Sequence, residues 1–165
     1  AYALQEKLVA TYPDDDDLEY ELAMLADRLG RYDQMERMLR KVIARNPSYH
    51  HALNALGYSL ADRRLKLDEA KLLIERALSL APNDPYITDS LGWVEYRQGN
   101  LSQARQLLER AYRLRPDVEI AAHLGEVLWV LGEKEAARAI WKEHVRGNAD
   151  NEVLRETLKR LGARL

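Results

Sequence analysis

Apolar residues along this chain recur at three- and four-residue spacing in short bursts, and each burst is cut off by proline or glycine. In LSQARQLLERAYRLR, Leu107, Leu108, Ala111 and Leu114 fall on one stripe with charged residues between them. That spacing predicts an amphipathic helix with one buried face. Pro116 ends it, because a residue before proline is pushed out of the helical region. The preceding burst, ITDSLGWVEYRQ, follows Asp84 and Pro85 and stops at Gly99-Asn100. Asp84 is a good N-cap and Pro85 suits the first helical position, so a second helix is predicted immediately upstream. The two helices and their short turn make one hairpin.

The hairpin recurs. Prolines stand at 13, 47, 82 and 116, spaced by 34, 35 and 34 residues. Leu56-Gly57, Leu91-Gly92 and Leu124-Gly125 repeat in phase, as do Ala70, Ala104 and Ala137. A self-similar period of this size marks a repeat array. Two helices pack closely only where one of them contributes Gly or Ala, which is why the small residues keep their place. The units run 16–49, 50–84, 85–117 and 118–151, preceded by 1–13 as helix B of a truncated repeat and followed by a capping helix over 152–165. In the last, Val153, Leu154, Leu158 and Leu161 form a stripe, while Arg155, Glu156, Lys159 and Arg160 are expected to face water. Unit two carries one extra residue, assigned to the turn 63–66. Units one and four depart from the small-residue pattern, with Met35, Leu39 and Val42 in one and Trp141, His144 and Ala149 in the other, so their packing is expected to be looser or shifted.

Leu91, Gly92, Ala104, Leu108, Ala111 and Pro116, with Leu56, Gly57, Ala70, Ile74, Ala77 and Pro82 one unit earlier, resemble the tetratricopeptide-repeat (TPR) pattern. The resemblance implies an all-α, right-handed α-solenoid whose first helices line a concave groove. It also implies which positions face that groove. In unit one they are Asp17, Tyr20, Met24, Asp27 and Arg28, and in unit two His51, Asn54, Tyr58, Ala61 and Asp62. Unit three supplies Tyr86, Asp89, Trp93, Tyr96 and Arg97, and unit four Glu119, Ala122, Glu126, Trp129 and Val130. Six of the twenty are Tyr or Trp in a chain that is 7% aromatic, so the aromatics gather where a guest would lie. Tyr and Trp combine contact area with a hydrogen-bonding tip. Trp93 and Tyr96 are accordingly expected to be exposed in the groove rather than packed on the next hairpin. The Lys, Asn and Arg clamp of chaperone-tail binders is not matched, since Tyr20, Met24, Ala55, Tyr86 and Ser90 occupy corresponding positions.

Charge and composition narrow the function. Lys and Arg total 25 against 27 Asp and Glu, and the balance offers no basic face for nucleic acid. Cysteine is absent, which excludes thiolate catalysis and thiolate metal sites. No apolar run is long enough to span a bilayer. No serine lies in a nucleophile elbow and no glycine loop cradles phosphate. Adjacent His50 and His51 diverge on a helix, and the run Asp14 to Asp17 fits a helix cap better than a calcium loop. Neither a cofactor, a metal nor an enzymatic activity is expected.

Residues 53 to 111, through LNALGYSLADR, PNDP and DSLGW, further resemble the C-terminal repeats of proteobacterial TPR lipoproteins at the outer membrane. That resemblance implies a periplasmic location reached through an upstream lipidated segment, and an adaptor role toward a carboxyl-terminal processing protease or its substrates. The chain opens inside a helical pattern, as a fragment would, and its uncovered first helix suggests the alternative of self-association into a homo-oligomer.

Overall fold

The computed structural model describes residues 1–165 as ten helices: α1 Tyr2–Thr11, α2 Asp16–Arg28, α3 Tyr32–Arg45, α4 His50–Asp62, α5 Leu67–Leu80, α6 Pro85–Arg97, α7 Leu101–Leu114, α8 Val118–Val130, α9 Lys134–Val145 and α10 Glu152–Leu161. Helices α2 with α3, α4 with α5, α6 with α7 and α8 with α9 pack as hairpins. Each second helix also packs on the first helix of the next hairpin, α3 on α4, α5 on α6 and α7 on α8. Repeating that step gives a right-handed α-solenoid in which α2, α4, α6 and α8 form one inner wall. No helix is long and apolar enough to cross a membrane.

Local chemistry sets where three of the four inner helices begin, α4 having no side-chain cap. Asp15 accepts the Leu18 amide at 3.0 Å, Asp84 those of Tyr86 and Ile87 at 2.8 and 3.0 Å, and Asp117 that of Glu119 at 2.8 Å. Each satisfies amides that have no partner inside the helix. Three of the four hairpin turns reverse through a left-handed glycine, Gly30, Gly99 or Gly132. The turn holding the extra residue does so without glycine, and Arg64 and Lys66 take positive φ values of 56° and 44°.

Within a hairpin the glycine of the inner helix is in contact with the bulky residue opposite. A methyl added at Gly57 would stand 2.6 Å from Ile74 Cγ1, at Gly92 2.7 Å from Leu108 Cγ, and at Gly125 2.1 Å from Trp141 Nε1. Ala70, Ala104 and Ala137 lie fully buried beside them. The outer hairpins, α2 with α3 and α8 with α9, touch less extensively than α4 with α5 and α6 with α7, in line with the looser packing expected from their departures, yet their cores stay closed. Met35, Leu39 and Val42 in unit one and Trp141 in unit four are fully buried. Larger side chains fill the volume that Leu or Ala fills elsewhere, so closure depends on summed volume more than on residue identity.

The two ends differ. Helix α1 packs on α2 in the place of a second helix and buries none of its residues, with Leu4 67% exposed. It is tied down by the Tyr2 hydroxyl, which donates to Gln34 Oε1 at 3.0 Å, and by Arg31 over the Tyr2 ring. Helix α10 packs on α8, continuing the inner wall, and buries Leu154 and Thr157.

Substituting Gly92→Ala drives a methyl against Leu108 and should destabilise the fold by about 1–3 kcal/mol, read as a lower urea midpoint. An unchanged midpoint would mean that α6 and α7 can separate without cost.

Candidate groove on the inner helices

A hollow of about 360 Å³ lies between α2, α4, α6 and α8, and Tyr20, Met24, Asn54, Tyr58, Tyr86 and Asp89 all line it. A second hollow of about 370 Å³ continues it toward α10 and is lined by Trp93, Arg97 and Arg160. Tyr58, Asp62 and His123 belong to both, so the two form one groove. Arg28 stands at the rim in a side recess with Tyr20 and Met24. Tyr96, Glu126 and Trp129 do not line either hollow. Trp129 sits farther along, against Trp141 at 5.7 Å between ring centroids, with Lys134 and Arg138 over its face.

The expectation for Trp93 is corrected. Its side chain is 2% exposed. The indole stacks on His123 at 4.2 Å and 26°, donates Nε1–H to Asp62 at 3.2 Å, and is covered by Arg97 at 4.6 Å. An aromatic ring with a hydrogen-bonding partner, a stacking partner and a cation already in place has little face left for a guest. Asp89 and Glu126 are likewise buried in the wall. Tyr86, at 43%, is the exposed aromatic of unit three.

A family model described as tetratricopeptide repeat matches residues 20–85 and 90–152. The chain belongs to the TPR family. It is 52% identical over 159 residues to the TPR repeat-containing protein PA4667 of Pseudomonas aeruginosa, covering 96% of this chain and 27% of that protein. The chain thus spans about a quarter of that relative's length. Among solved structures it resembles the TPR protein TTC0263 of Thermus thermophilus, with a TM-score of 0.83 and 21% identity over 97% of this chain and 88% of that one. MamA of Desulfovibrio magneticus superposes with a TM-score of 0.70 and 17% identity, over 92% and 85% of the two chains. Both structural likenesses concern the fold.

In this TPR wall the polar groups pair between units. Asp89 on α6 accepts from His123 Nδ1 on α8 at 2.9 Å, and the Tyr58 hydroxyl on α4 meets His123 Nε2 at 3.2 Å. When neutral, the imidazole donates to Asp89 and accepts from Tyr58. Burial pushes His123 toward its neutral form, but the charge and hydrogen bond of Asp89 outweigh it and raise its pKa above the usual 6.5. Burial pushes the Tyr58 hydroxyl well up, aided by the nearby charges of Asp62, Asp89 and Glu119. Sequence reasoning found no carboxylate partner for His123. The signal was the one-period step of 34 residues from Asp89, which puts both in the same register of adjoining inner helices.

A second latch holds α10. Arg160 donates to both oxygens of Glu126 at 2.8 and 2.6 Å, and Tyr96 donates to Glu126 Oε1 at 2.9 Å. Arg160 therefore does not simply face water, as its place opposite the apolar stripe suggested. Glu126 is fully buried, and an ion pair of this kind is retained because a carboxylate left alone there would be costly. Burial, followed by the Glu126 charge, lifts Tyr96 to about 12.

Two measurements check this network. Because the His123 pKa is raised in the fold, its stabilising effect is complete below pH 6.5 and fades as pH climbs through the higher folded value. The stability difference between the native chain and His123→Gln should shrink over that rise. A difference that stays constant from about pH 5.5 to about pH 8.5 would show that the imidazole gains no proton affinity on folding. Separately, Arg160→Met should cost about 1–3 kcal/mol, speed amide exchange across α10, and be partly rescued by Glu126→Gln in the same chain. Unchanged exchange would show that the latch does not hold the helix.

Proposed function

We propose that this TPR chain is a non-catalytic adaptor that holds a segment of a partner protein along its inner helices. The observation that carries the reading is the groove continuous from α2 to α10, faced by Tyr20, Tyr58 and Tyr86 from three successive units. Tyrosine suits such a surface, because its ring offers apolar area and its hydroxyl a hydrogen bond. A guest lying along the wall meets one such residue from each of the first three units, at different positions of their inner helices. The finer reading is that the partner is a periplasmic processing protease or its substrate. It rests on the resemblance of residues 53 to 111 to outer-membrane lipoprotein repeats, and it carries with it a location reached through an upstream lipidated segment.

A photo-crosslinking residue in place of Tyr20 or Tyr86 should trap a discrete protein in cells, whereas one at Leu72, 68% exposed on α5, should not. Tyr20→Ala with Tyr86→Ala should weaken binding of the trapped protein by at least about 2 kcal/mol, near thirtyfold. Crosslinks from Leu72 and none from the groove would place the working surface elsewhere.

A second reading, a self-association module, draws on one observation: α1 buries nothing and presents Leu4 and Leu8 outward. Light scattering on Leu4→Ser with Leu8→Ser separates it from the first, since it requires a dimer that this pair of changes removes.

A further inference from the structure

The groove is far from neutral, although the chain as a whole is nearly so. Asp27 and Glu119 line the first hollow, and Glu152 and Glu156 line the second. Within the protein none of the four carboxylates has an ion-pair partner within 4.0 Å. The cations of the same groove are engaged in part, each through some of its nitrogens. Arg97 bonds Asp62 at 3.3 Å, Arg160 holds Glu126, and Arg63 lies over the Tyr32 ring while donating Nε–H to Ser59. A surplus of unpaired negative charge therefore faces the space a guest would enter, and a concave low-dielectric wall concentrates its field.

Acidic residues alone would be a solvated face. Three further features point to an occupant. The same hollow carries tyrosine rings from three units, and aromatic faces attract a cation as carboxylates do. The negative charges converge on its centre: Tyr58 and His123 both lie in the field of Asp62, Asp89 and Glu119. Finally, three of the four buried side-chain polar atoms with no hydrogen-bond partner in the protein, Asn54 Oδ1, Arg63 Nη2 and Arg97 Nε, belong to groove residues. Of these, the Arg97 side chain is only 9% exposed. Such atoms are rare in a folded interior. Asn54 Oδ1 is an acceptor and fits a cationic head, whereas the two arginine nitrogens are donors and fit backbone carbonyls of a bound segment. A divalent metal is not that occupant, because no three His, Asp or Glu side chains converge to hold one.

Resting on the reading of the groove as a binding surface, we propose that the bound segment is cationic: a Lys or Arg side chain enters between Tyr20, Tyr58 and Tyr86 and faces Asp27, Asp62 and Glu119. A Lys or Arg stem is long enough to lie along the tyrosine rings while its charged head reaches the carboxylates. Burial is the main influence raising the Asp27 carboxyl, opposed by the charges of Arg63 and Arg28 and aided by that of Asp62, so the carboxylate still gains from closer pairing with an arriving cation.

Fluorescence anisotropy with a pool of labelled peptides of roughly twelve residues provides the test, in three sets that differ only in carrying Lys and Arg, Gln, or Glu at the same positions. The cationic set should bind at least about tenfold more tightly than the Gln set, and the Glu set weakest. The advantage should fall between about 50 mM and about 300 mM salt. Asp27→Asn with Glu119→Gln, near-isosteric changes whose fold is checked by circular dichroism, should erase most of it. Equal binding of the three sets, or preference for the Glu set, overturns the cationic reading and leaves the groove as a binding surface. Binding of the cationic set that survives Tyr20→Ala with Tyr86→Ala, and survives the paired acid change, overturns the assignment of this hollow. Binding of no set overturns the cationic proposal together with the groove reading beneath it.

Discussion

The close approach of inner and outer helix at one small residue per unit, Ala23 in the first and a glycine in the other three, is the contact on which everything else in this molecule depends. At Gly57, Gly92 and Gly125 a side chain of the outer helix occupies the place where a Cβ would be. That contact fixes how near the two helices lie and at what rotation, since ridges settle only where the groove is deep enough. Once one hairpin is set, the next is related to it by the same step, and the inner helices fall into line. The groove is a consequence of that step repeated. Unit four shows how much latitude the constraint allows, because Trp141 replaces the aliphatic residue and still fits against Gly125. The substitution leaves the indole Nε1 buried with no hydrogen-bond partner, a cost that Ile74 and Leu108 avoid by having no polar atom.

The same periodicity that stacks helices also pairs charges. Residues about one repeat apart become neighbours, so Asp89 meets His123, Glu126 meets Arg160, and Asp62 meets Arg97. These pairs bridge successive inner helices on the concave side. A solenoid is held by nearest-neighbour interfaces, so polar bridges within the wall restrain the bend between units as well as adding stability. Helix α10 belongs to this system. By packing on α8 and offering Arg160 to the buried Glu126, it serves as a further inner helix and extends the wall by one step.

Much of the fold was readable before any coordinates, because proline spacing and the glycine and alanine positions report directly on helix ends and close contacts. The hollow's lining was readable in part. Tyr20, Met24, Asn54, Tyr58, Tyr86 and Asp89 meet in it because their register within each unit is the same or adjacent. Trp93 was misjudged because side-chain size and amphipathic character say nothing about which neighbours cover a ring, and here His123 and Arg97 both lie against it. His123 was overlooked for the converse reason: its partner is distant in sequence, and a search for local spacing passes over a step of a whole repeat. The burial of Trp141 in unit four was not legible, since a pattern of residue types does not weigh volume, and this ring compensates in volume for what it lacks in kind.

Trp93 shows what the wall does by not being a contact. Stacked on His123, bonded to Asp62 and capped by Arg97, it locks three inner helices together from within. A guest that approaches the groove meets side chains already held in place, and little ordering remains to be done by binding itself. Preorganisation of this kind converts contact area into affinity more efficiently than a mobile surface does. Tyr86, the most exposed of the groove tyrosines, stands on that rigid base with its hydroxyl toward Asp117 and Arg115 over its ring, and Asp27 and Glu119 lie beside it outside any ion pair. Selectivity in such a groove then resides in the few groups the protein has not paired with one another, and rigidity in the many that it has.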